Sequence, residues 1–389
     1  MAMKISTERI LTTHVGSMPR PEDLLVLLRA EDRGEAVDQK ALQARATTAV
    51  MQTVKDQVAA GVDVVNDGEM SKMSYHVYLK HRLTGLSSVD GDGVPGRPIM
   101  LDILDHPEMI PAQQQGGGTD LLKATVCDGP IAYKDRAPLD RDLANVKSAA
   151  AAARPTDVFM TSASPGCLST YVPNRHYPNR DKYREELAVA LRTEYEAIYN
   201  AGIVLQVDCP DLAGCRHTDY QKMSDAEFMA DAEKSIEALN EATKNIPPEA
   251  MRMHICWLNY SGPHTHDIPV AKLFGLLAKA RPAAILFEGA NPRHEHEWED
   301  WKAAKLPDHK ILIPGVIDST TNFVEHPRLV AQRICHYADV VGRERVIAGS
   351  DCGFGTYAGR KGVYPSVVLS KFKAMAEGAR LASEKLWKK

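Results

Sequence analysis

Residues 203–353 carry the pattern that decides the fold: IVLQVDCP (203–210), RMHICWL (252–258), AAILFEGA (283–290), KILIPGVID (310–318) and RVIAGSDCG (345–353). Each run is rich in β-branched and apolar residues and has the length of a buried parallel strand. Helix-like stretches separate them, from Asp225 to Lys244, Pro269 to Ala280 and Pro327 to Val341. Upstream the alternation continues. LTTHVGS (11–17), VDVVNDGE (62–69) and DVFMTSASP (157–165) read as strands, Val37 to Ala60 and Lys182 to Ala201 as helices, and a further helix is expected over Ser366 to Leu386. Alternation of this kind implies parallel βαβ units, and eight strands imply an α/β chain folded as a (β/α)8 TIM barrel, expected as a single domain over 1–389. An open doubly wound sheet is the alternative. It would carry a glycine-rich phosphate loop after its first strand, and no GxGxxG follows residue 17.

Residues 75–154 break the repeat. Their Gly, Pro and Asp clusters, VDGDGVPGRP and QQQGGGTD, predict an excursion after the second strand, with short strands of its own in LLKATVCDGPIAY. Such an excursion either covers the active site or is a solvated insertion.

Composition narrows the function. Of 389 residues 44% are hydrophobic and 25% charged, and the formal net charge is −4. The basic surplus of a nucleic-acid binder is absent. No apolar run approaches the roughly 18 residues of a membrane span. The opening MAMKISTERILTTHVGS lacks a signal-peptide apolar core, so a cytoplasmic location is expected. The seven cysteines include no CxxC pair and are expected to be reduced thiols. Homo-oligomerisation stays open.

Catalytic groups of a barrel project from the C-terminal ends of its strands. Those ends here supply His14, Gly16, Ser17, Asp67, Glu69, Ser162, Ser164, Asp208, Cys209, His254, Cys256, Glu288, Asp318, Ser319, Asp351 and Cys352. Several of the serines and aspartates, Asp318 among them, are expected only to bind loop amides. The sharpest set is His254, Cys256, Glu288 and Cys352. Residues i and i+2 of a strand share a side, so the HxC imidazole and thiolate can converge on one ion. Sulfur and nitrogen ligands select Zn2+. The plain alternative is two core cysteines and a satisfied histidine. His264 and His266 in WLNYSGPHTHD, with His294, Glu295, His296 and Glu297 in NPRHEHEWED, are expected at the pocket rim or on the surface rather than at a second metal.

On these motifs the chain resembles the cobalamin-independent methionine synthases, in a short branch made only of their catalytic barrel. MHIC, LFEGAN and GSDCGFGT match that family's zinc site and imply Zn2+ at His254, Cys256, Glu288 and Cys352. THVGSMPRP matches the segment that holds the amino-acid carboxylate and implies that role for Val15, Gly16 and Ser17. NDGE and LQVDCPDL imply that Glu69 and Asp208 bind the homocysteine ammonium. The donor side departs from the family. PGVIDSTTNF has Ser319, Thr320 and Thr321 where the family has a histidine, and the pterin-stacking tryptophan has no counterpart beyond Tyr171 or Tyr177. The related epoxyalkane–coenzyme M transferases use a similar zinc site on a different electrophile.

The resemblance implies transfer of a methyl group to a zinc-activated small-molecule thiol, from a donor such as a methyl-folate. The alternative is thiol alkylation of the epoxyalkane–coenzyme M transferase type. Two thiolates and one carboxylate put three negative charges on the ion, which keeps a bound sulfur electron-rich and suits alkyl transfer better than hydrolysis. A folate leaving nitrogen needs a proton, for which His14, His76 and His176 are candidates. Lys80, His81 and Arg82 would meet an anionic substrate or lie in a solvated loop.

Overall fold

The computed structural model describes residues 2–89, 98–109, 124–359 and 362–388. All eight expected strands are present and form one sheet. They are β1 (Leu11–Thr12), β2 (Val64–Val65), β5 (Asp157–Ala163), β6 (Val204–Asp208), β7 (Met251–His254), β8 (Ala284–Phe287), β9 (Ile311–Ile317) and β10 (Ile347–Ser350). β3 (Leu86–Val89) and β4 (Ala124–Cys127) pair antiparallel outside that sheet. The sheet order is β1-β10-β9-β8-β7-β6-β5-β2, and every pairing in it is parallel. Its two ends meet where Asp63 N donates to Thr12 O at 3.1 Å and Thr13 Oγ1 to Val64 O at 2.9 Å. The result is a nearly closed, all-parallel (β/α)8 barrel ringed by helices.

The period-2 pattern of the strands sorts their side chains into two cores. One lines the barrel interior: Leu11, Val15, Val64, Phe159, Val204, Ala284, Leu286, Ile311, Ile313 and Ile347. The alternate positions, such as Leu205, Val207, Met253, Ile285 and Phe287, face the helices. β7 places Met251, Met253 and Ile255 outward. Arg252, His254 and Cys256 therefore share the inward face. The outer layer includes Gln39–Ala59, Arg180–Asn200, Asp225–Ala242, Pro327–Val341 and Pro365–Trp387, close to the expected boundaries. The helix expected over Pro269 to Ala280 is a 3-10 turn, Val270–Leu273, running into Phe274–Lys279. Glu22–Asp32 and Pro165–Tyr171 are further helices; the second is capped by Ser164 Oγ on Cys167 N, 2.9 Å.

Between β2 and β5 lie the 3-10 turn Val77–His81, the β3–β4 pair and the helix Ala137–Ala153, which carries the chain to β5. The two glycine-rich tracts of the expected excursion fall almost wholly outside the described residues. Lys80 and Arg82 are not solvated: Lys80 Nζ pairs with Asp32 at 2.5 Å, and Arg82 binds Asp142 and, at 3.0 Å, Glu194. No described helix is long and apolar enough to cross a membrane.

Candidate active site and metal centre

His254, Cys256 and Cys352 converge at the C-terminal mouth of the barrel. His254 ends β7, and Cys352 follows β10 across the lumen. Cys352 Sγ lies 3.6 Å from Cys256 Sγ and 3.4 Å from His254 Nε2. A tetrahedral zinc with bonds of about 2.3 Å to sulfur and 2.0–2.1 Å to nitrogen separates two sulfurs by about 3.8 Å, and a sulfur from a nitrogen by about 3.5 Å. The donor atoms thus stand near ligand spacing. Burial, reinforced by Arg252, lowers the His254 pKa to about 3, so its ring is the neutral form a metal needs. The hydrogen bond to Cys352, then burial, push the Cys256 thiol well up. All seven cysteines are free and buried.

The loop after Cys256 is folded tightly around its sulfur. Leu258 and Asn259 have φ of 81° and 50°, and Leu258 N donates to Cys256 Sγ at 3.1 Å. Left-handed backbone at two non-glycine residues in a row is a strained arrangement of the kind concentrated at functional sites.

Glu288 is buried beside this trio but is not gathered with it. Its Oε1 accepts from Trp257 N and its Oε2 from Asn291 Nδ2, both at 2.8 Å. Burial raises its pKa, while His294 and His264 pull the other way. Asp351, to which no role was attached from sequence, organises the loop behind Glu288. Its Oδ1 accepts from Gly289 N and Ala290 N at 2.8 Å, and its Oδ2 from Asn291 N at 2.9 Å. It thereby ties the strand end carrying Cys352 to the one carrying Glu288. Gly315 makes room for it, since a Cβ there would lie 1.9 Å from Asp351 Oδ1.

Next to the trio is a second centre of buried charge. Asp208 is the register partner of His254. Burial, and then the neighbouring Glu69, raise the Asp208 pKa to about 8. Glu69 Oε1 accepts from Thr161 Oγ1 at 2.9 Å, and its buried Oε2, without a hydrogen bond, stands 3.9 Å from the buried Arg20 guanidinium. Two neighbouring carboxylates with an oxygen that accepts no hydrogen bond are complementary to a further cation. Arg252 and Gln206, also unassigned from sequence, hold Asp208 from below. Arg252 Nε donates to Gln206 Oε1 at 2.7 Å, and Gln206 Nε2 donates to Asp208 Oδ1 at 2.8 Å. Arg252 lies 3.6 Å over the Phe159 ring, and burial lowers its pKa to about 9. A charged residue two positions before the histidine, on the same strand face, was the available signal.

Gly16 (φ +147°) sits against this pair, with a virtual Cβ 2.8 Å from Thr161 Cγ2 and 3.1 Å from Glu69 Oε1. Val15 N is taken up by Ser350 Oγ at 3.2 Å, and Val15 O by Gln206 Nε2 at 2.5 Å. Ser17 O accepts from Phe354 N at 2.8 Å, just beyond Cys352. Among the described residues the Gly16 and Ser17 amides have no backbone acceptor, so both are free to donate to an anion.

Tyr171 belongs to an aromatic cluster with Tyr75, His76 and Tyr357. Its ring stacks on His76 at 5.1 Å and meets Tyr75 at 6.2 Å, and Tyr357 closes on both Tyr75 and His76 at 6.1 Å. His14 sits elsewhere. It is fully buried, hydrogen-bonded to Gln57 at 2.8 Å, packed on Phe159 and Phe372, and lowered to about 3 by burial, which keeps its ring neutral. His176 is exposed. Ser319 donates to Asn259 Oδ1 at 2.7 Å, and Asp318 accepts from the Thr320 and Thr321 amides at 2.8 and 2.9 Å.

The histidines expected at the rim divide. His266 is half-buried on Asp105 and His296 is exposed, but His264 and His294 are buried. Each of the latter pair has an acceptor at both ring nitrogens. His264 faces Asp267 (2.7 Å) and Tyr260 O (2.9 Å), and His294 faces Asp267 and Glu297 (both 2.9 Å). Neither of these two lies on the surface: His264 pairs with Asp267 three residues on, and His294 with Glu297 three residues on and with Asp267 27 residues back. Burial works against a charged His294 ring, but Asp267, Glu297 and Glu288 outweigh it and raise its pKa to about 10.

No protein-family model matches the chain. It is 26% identical over 381 residues to the methionine synthase of Sulfolobus acidocaldarius, covering 97% of this chain and 94% of that one. The methionine synthase of Saccharolobus solfataricus is 25% identical over 388 residues, with 97% and 96% covered. The chain is thus similar, along nearly its whole length, to methionine synthases. Its fold is likewise similar to a solved one. It superposes with a TM-score of 0.71 on the B12-independent methionine synthase from Shewanella sp. W3-18-1 solved with selenomethionine, at 18% identity, covering 97% of this chain and 99% of that one.

Proposed function

We propose that this methionine-synthase-like barrel is a zinc-dependent methyltransferase that alkylates the sulfur of a homocysteine-like amino acid. The observation that carries the reading is the adjacency of two sites, a His-Cys-Cys donor trio and the Glu69–Asp208 pair beside it. A thiol and an ammonium at the two ends of one small molecule would match them.

His254, Cys256 and Cys352 would hold the zinc, with Glu288 as the fourth ligand once its carboxylate turns from the Trp257 amide. Zinc bound there would supply the substrate sulfur as a thiolate at neutral pH, where a free thiol with pKa near 8.5 is mostly protonated. The other steps belong to the chain. Glu69 Oε2 and Asp208 receive the ammonium, and the Gly16 and Ser17 amides, beside Val15, receive the carboxylate. That two-point grip orients the sulfur toward an electrophilic carbon and converts a bimolecular encounter into a positioned one. Tyr171, with Tyr75, His76 and Tyr357, offers a flat apolar surface for a ring-bearing donor such as a methyl-folate. His76 is the remaining candidate acid, because it alone of the three histidines considered lies in that cluster.

The missing family histidine at Ser319 favours a second reading in one respect, the identity of the electrophile. The test is therefore an assay of homocysteine consumption with methyl-folate and an epoxide side by side, on wild type and Cys352→Ser. Methionine formed from methyl-folate and lost in the variant supports the proposal. Thioether formed only from the epoxide moves the chain to the alkyltransferase reading. Full activity in chelator-treated, zinc-free protein refutes both.

A further inference from the structure

We propose a second divalent-metal site, formed by His264 Nδ1, Asp267 Oδ2 and His294 Nε2, with His217 as a further ligand. These groups come from three loops at the mouth of the barrel, those after β6 (His217), β7 (His264, Asp267) and β8 (His294). The three principal donor atoms lie within 4.8 Å of one another.

The outer contacts are those of a metal site. A ligating histidine commonly donates its other N–H to a carbonyl or a carboxylate, which fixes the ring and its tautomer. Here His264 Nε2 faces Tyr260 O at 2.9 Å, and His294 Nδ1 faces Glu297 Oε2 at 2.9 Å. Glu297 is itself held, since its Oε1 accepts from Val270 N at 2.8 Å.

An independent observation comes from His217. It is 1% exposed, and neither ring nitrogen has a hydrogen-bond partner. Asp267 Oδ1, 3.7 Å from His217 Nε2, is buried and unpartnered as well. Buried polar groups left unpaired in this way are unfavourable. A shared cation would satisfy both at a separation too long for a direct hydrogen bond.

The charges also match, since an M2+ held by two neutral imidazoles is balanced by the Asp267 and Glu297 carboxylates beside them. The His264 and His294 contacts to Asp267, 2.7 and 2.9 Å, are hydrogen-bond lengths. Bonds of about 2.0–2.1 Å in a tetrahedral site require about 3.4 Å, so the donors must open by roughly 0.5–0.7 Å. Imidazole nitrogens with one carboxylate suit a zinc-class ion. Its place behind Trp257, whose ring centroid is 4.4 Å from that of His294 and whose amide holds Glu288, would brace the loops that carry Cys256 and Glu288.

Its donors are distinct from those of the thiol-binding trio, and the experiment separates the two sites. The full chain is loaded with Zn2+ at pH 8 and dialysed, and metal per chain is measured for wild type, His264→Asn/His294→Gln and Cys256→Ser/Cys352→Ser. Two ions in wild type and one in each double variant are expected. A crystal of the loaded wild type should show a zinc anomalous peak between His264, Asp267 and His294, a result that does not depend on any variant folding. One ion per chain in wild type, a count unmoved by the histidine substitutions, or no anomalous peak at the cluster would overturn the proposal.

Discussion

Asp208→Asn should make the protein more stable and the enzyme worse. In the free protein Asp208 is buried beside Glu69, and its pKa stands at about 8 against an ordinary 3.8. A carboxyl raised in this way leaves the fold most stable below 3.8, where both folded and unfolded chains carry the proton. Stability is then lost progressively as pH climbs toward about 8, because the unfolded chain can ionise freely and the folded one cannot. At about 1.4 kcal/mol per pKa unit the burden at pH 7 is bounded at roughly 4 kcal/mol. Asparagine keeps an acceptor for Gln206 Nε2 and never ionises, so it removes that burden. Thermal unfolding followed by circular dichroism should show a gain for the variant that is near zero at pH 4 and largest at pH 8. Catalysis should move the other way. A charge-assisted hydrogen bond to the substrate ammonium contributes about 1.5–3 kcal/mol, so KM for homocysteine should rise about tenfold to a hundredfold while KM for the methyl donor holds. In wild type, homocysteine should close much of the stability gap by bringing a further cation to the pair. An Asn variant that is less stable than wild type at pH 8, or a gain independent of pH, would sink the reasoning about the carboxylate pair. An unchanged homocysteine KM would sink the assignment of Asp208 to the ammonium.

Three other substitutions probe the remaining parts of the site. Asp351→Ala strips the acceptor from the Gly289, Ala290 and Asn291 amides; stability in urea should fall by about 3 kcal/mol, and Zn2+ should be retained more weakly because Glu288 loses its support. Gly16→Ala introduces a Cβ against Thr161 and Glu69 at a backbone angle that disfavours it; homocysteine KM should rise at least tenfold with donor KM unchanged, as steady-state kinetics would show. Tyr171→Ala should do the reverse, raising donor KM about tenfold through loss of the stacked ring and leaving homocysteine KM alone.

What could be read from the sequence was what depends on neighbours in the chain. Val204, Gln206 and Asp208 alternate with Leu205 and Val207, so the lumen face of β6 and its terminal acid follow from a period of two. The same period aligns Arg252, His254 and Cys256. What could not be read depends on partners remote in sequence. NPRHEHEWED looks solvated as text, yet His294 is buried, because Asp267, 27 residues earlier, and Glu297 offset its charge. Lys80 and Arg82 were candidates for a wet loop until Asp32, Asp142 and Glu194 came within reach. The candidate metal donors fall on both sides of this line. His254 and Cys256 are legible because one strand presents both. Cys352 was legible only as a strand-end residue, and its meaning comes from barrel closure, which carries a residue 98 positions away to 3.4 Å from His254 Nε2. Glu288 shows where strand position stops informing. It puts the residue beside the trio, but that the carboxylate faces the Trp257 amide rather than the trio is a side-chain choice worth a few kcal/mol, which no pattern in sequence resolves. Asp351 makes the same point from the other side. It follows the last barrel strand in a DCG motif whose cysteine draws attention, yet the aspartate joins the strand ends that carry Cys352 and Glu288. A constellation of this kind is therefore legible in its donors before its supports, since donors are chosen by element type and supports by three-dimensional fit.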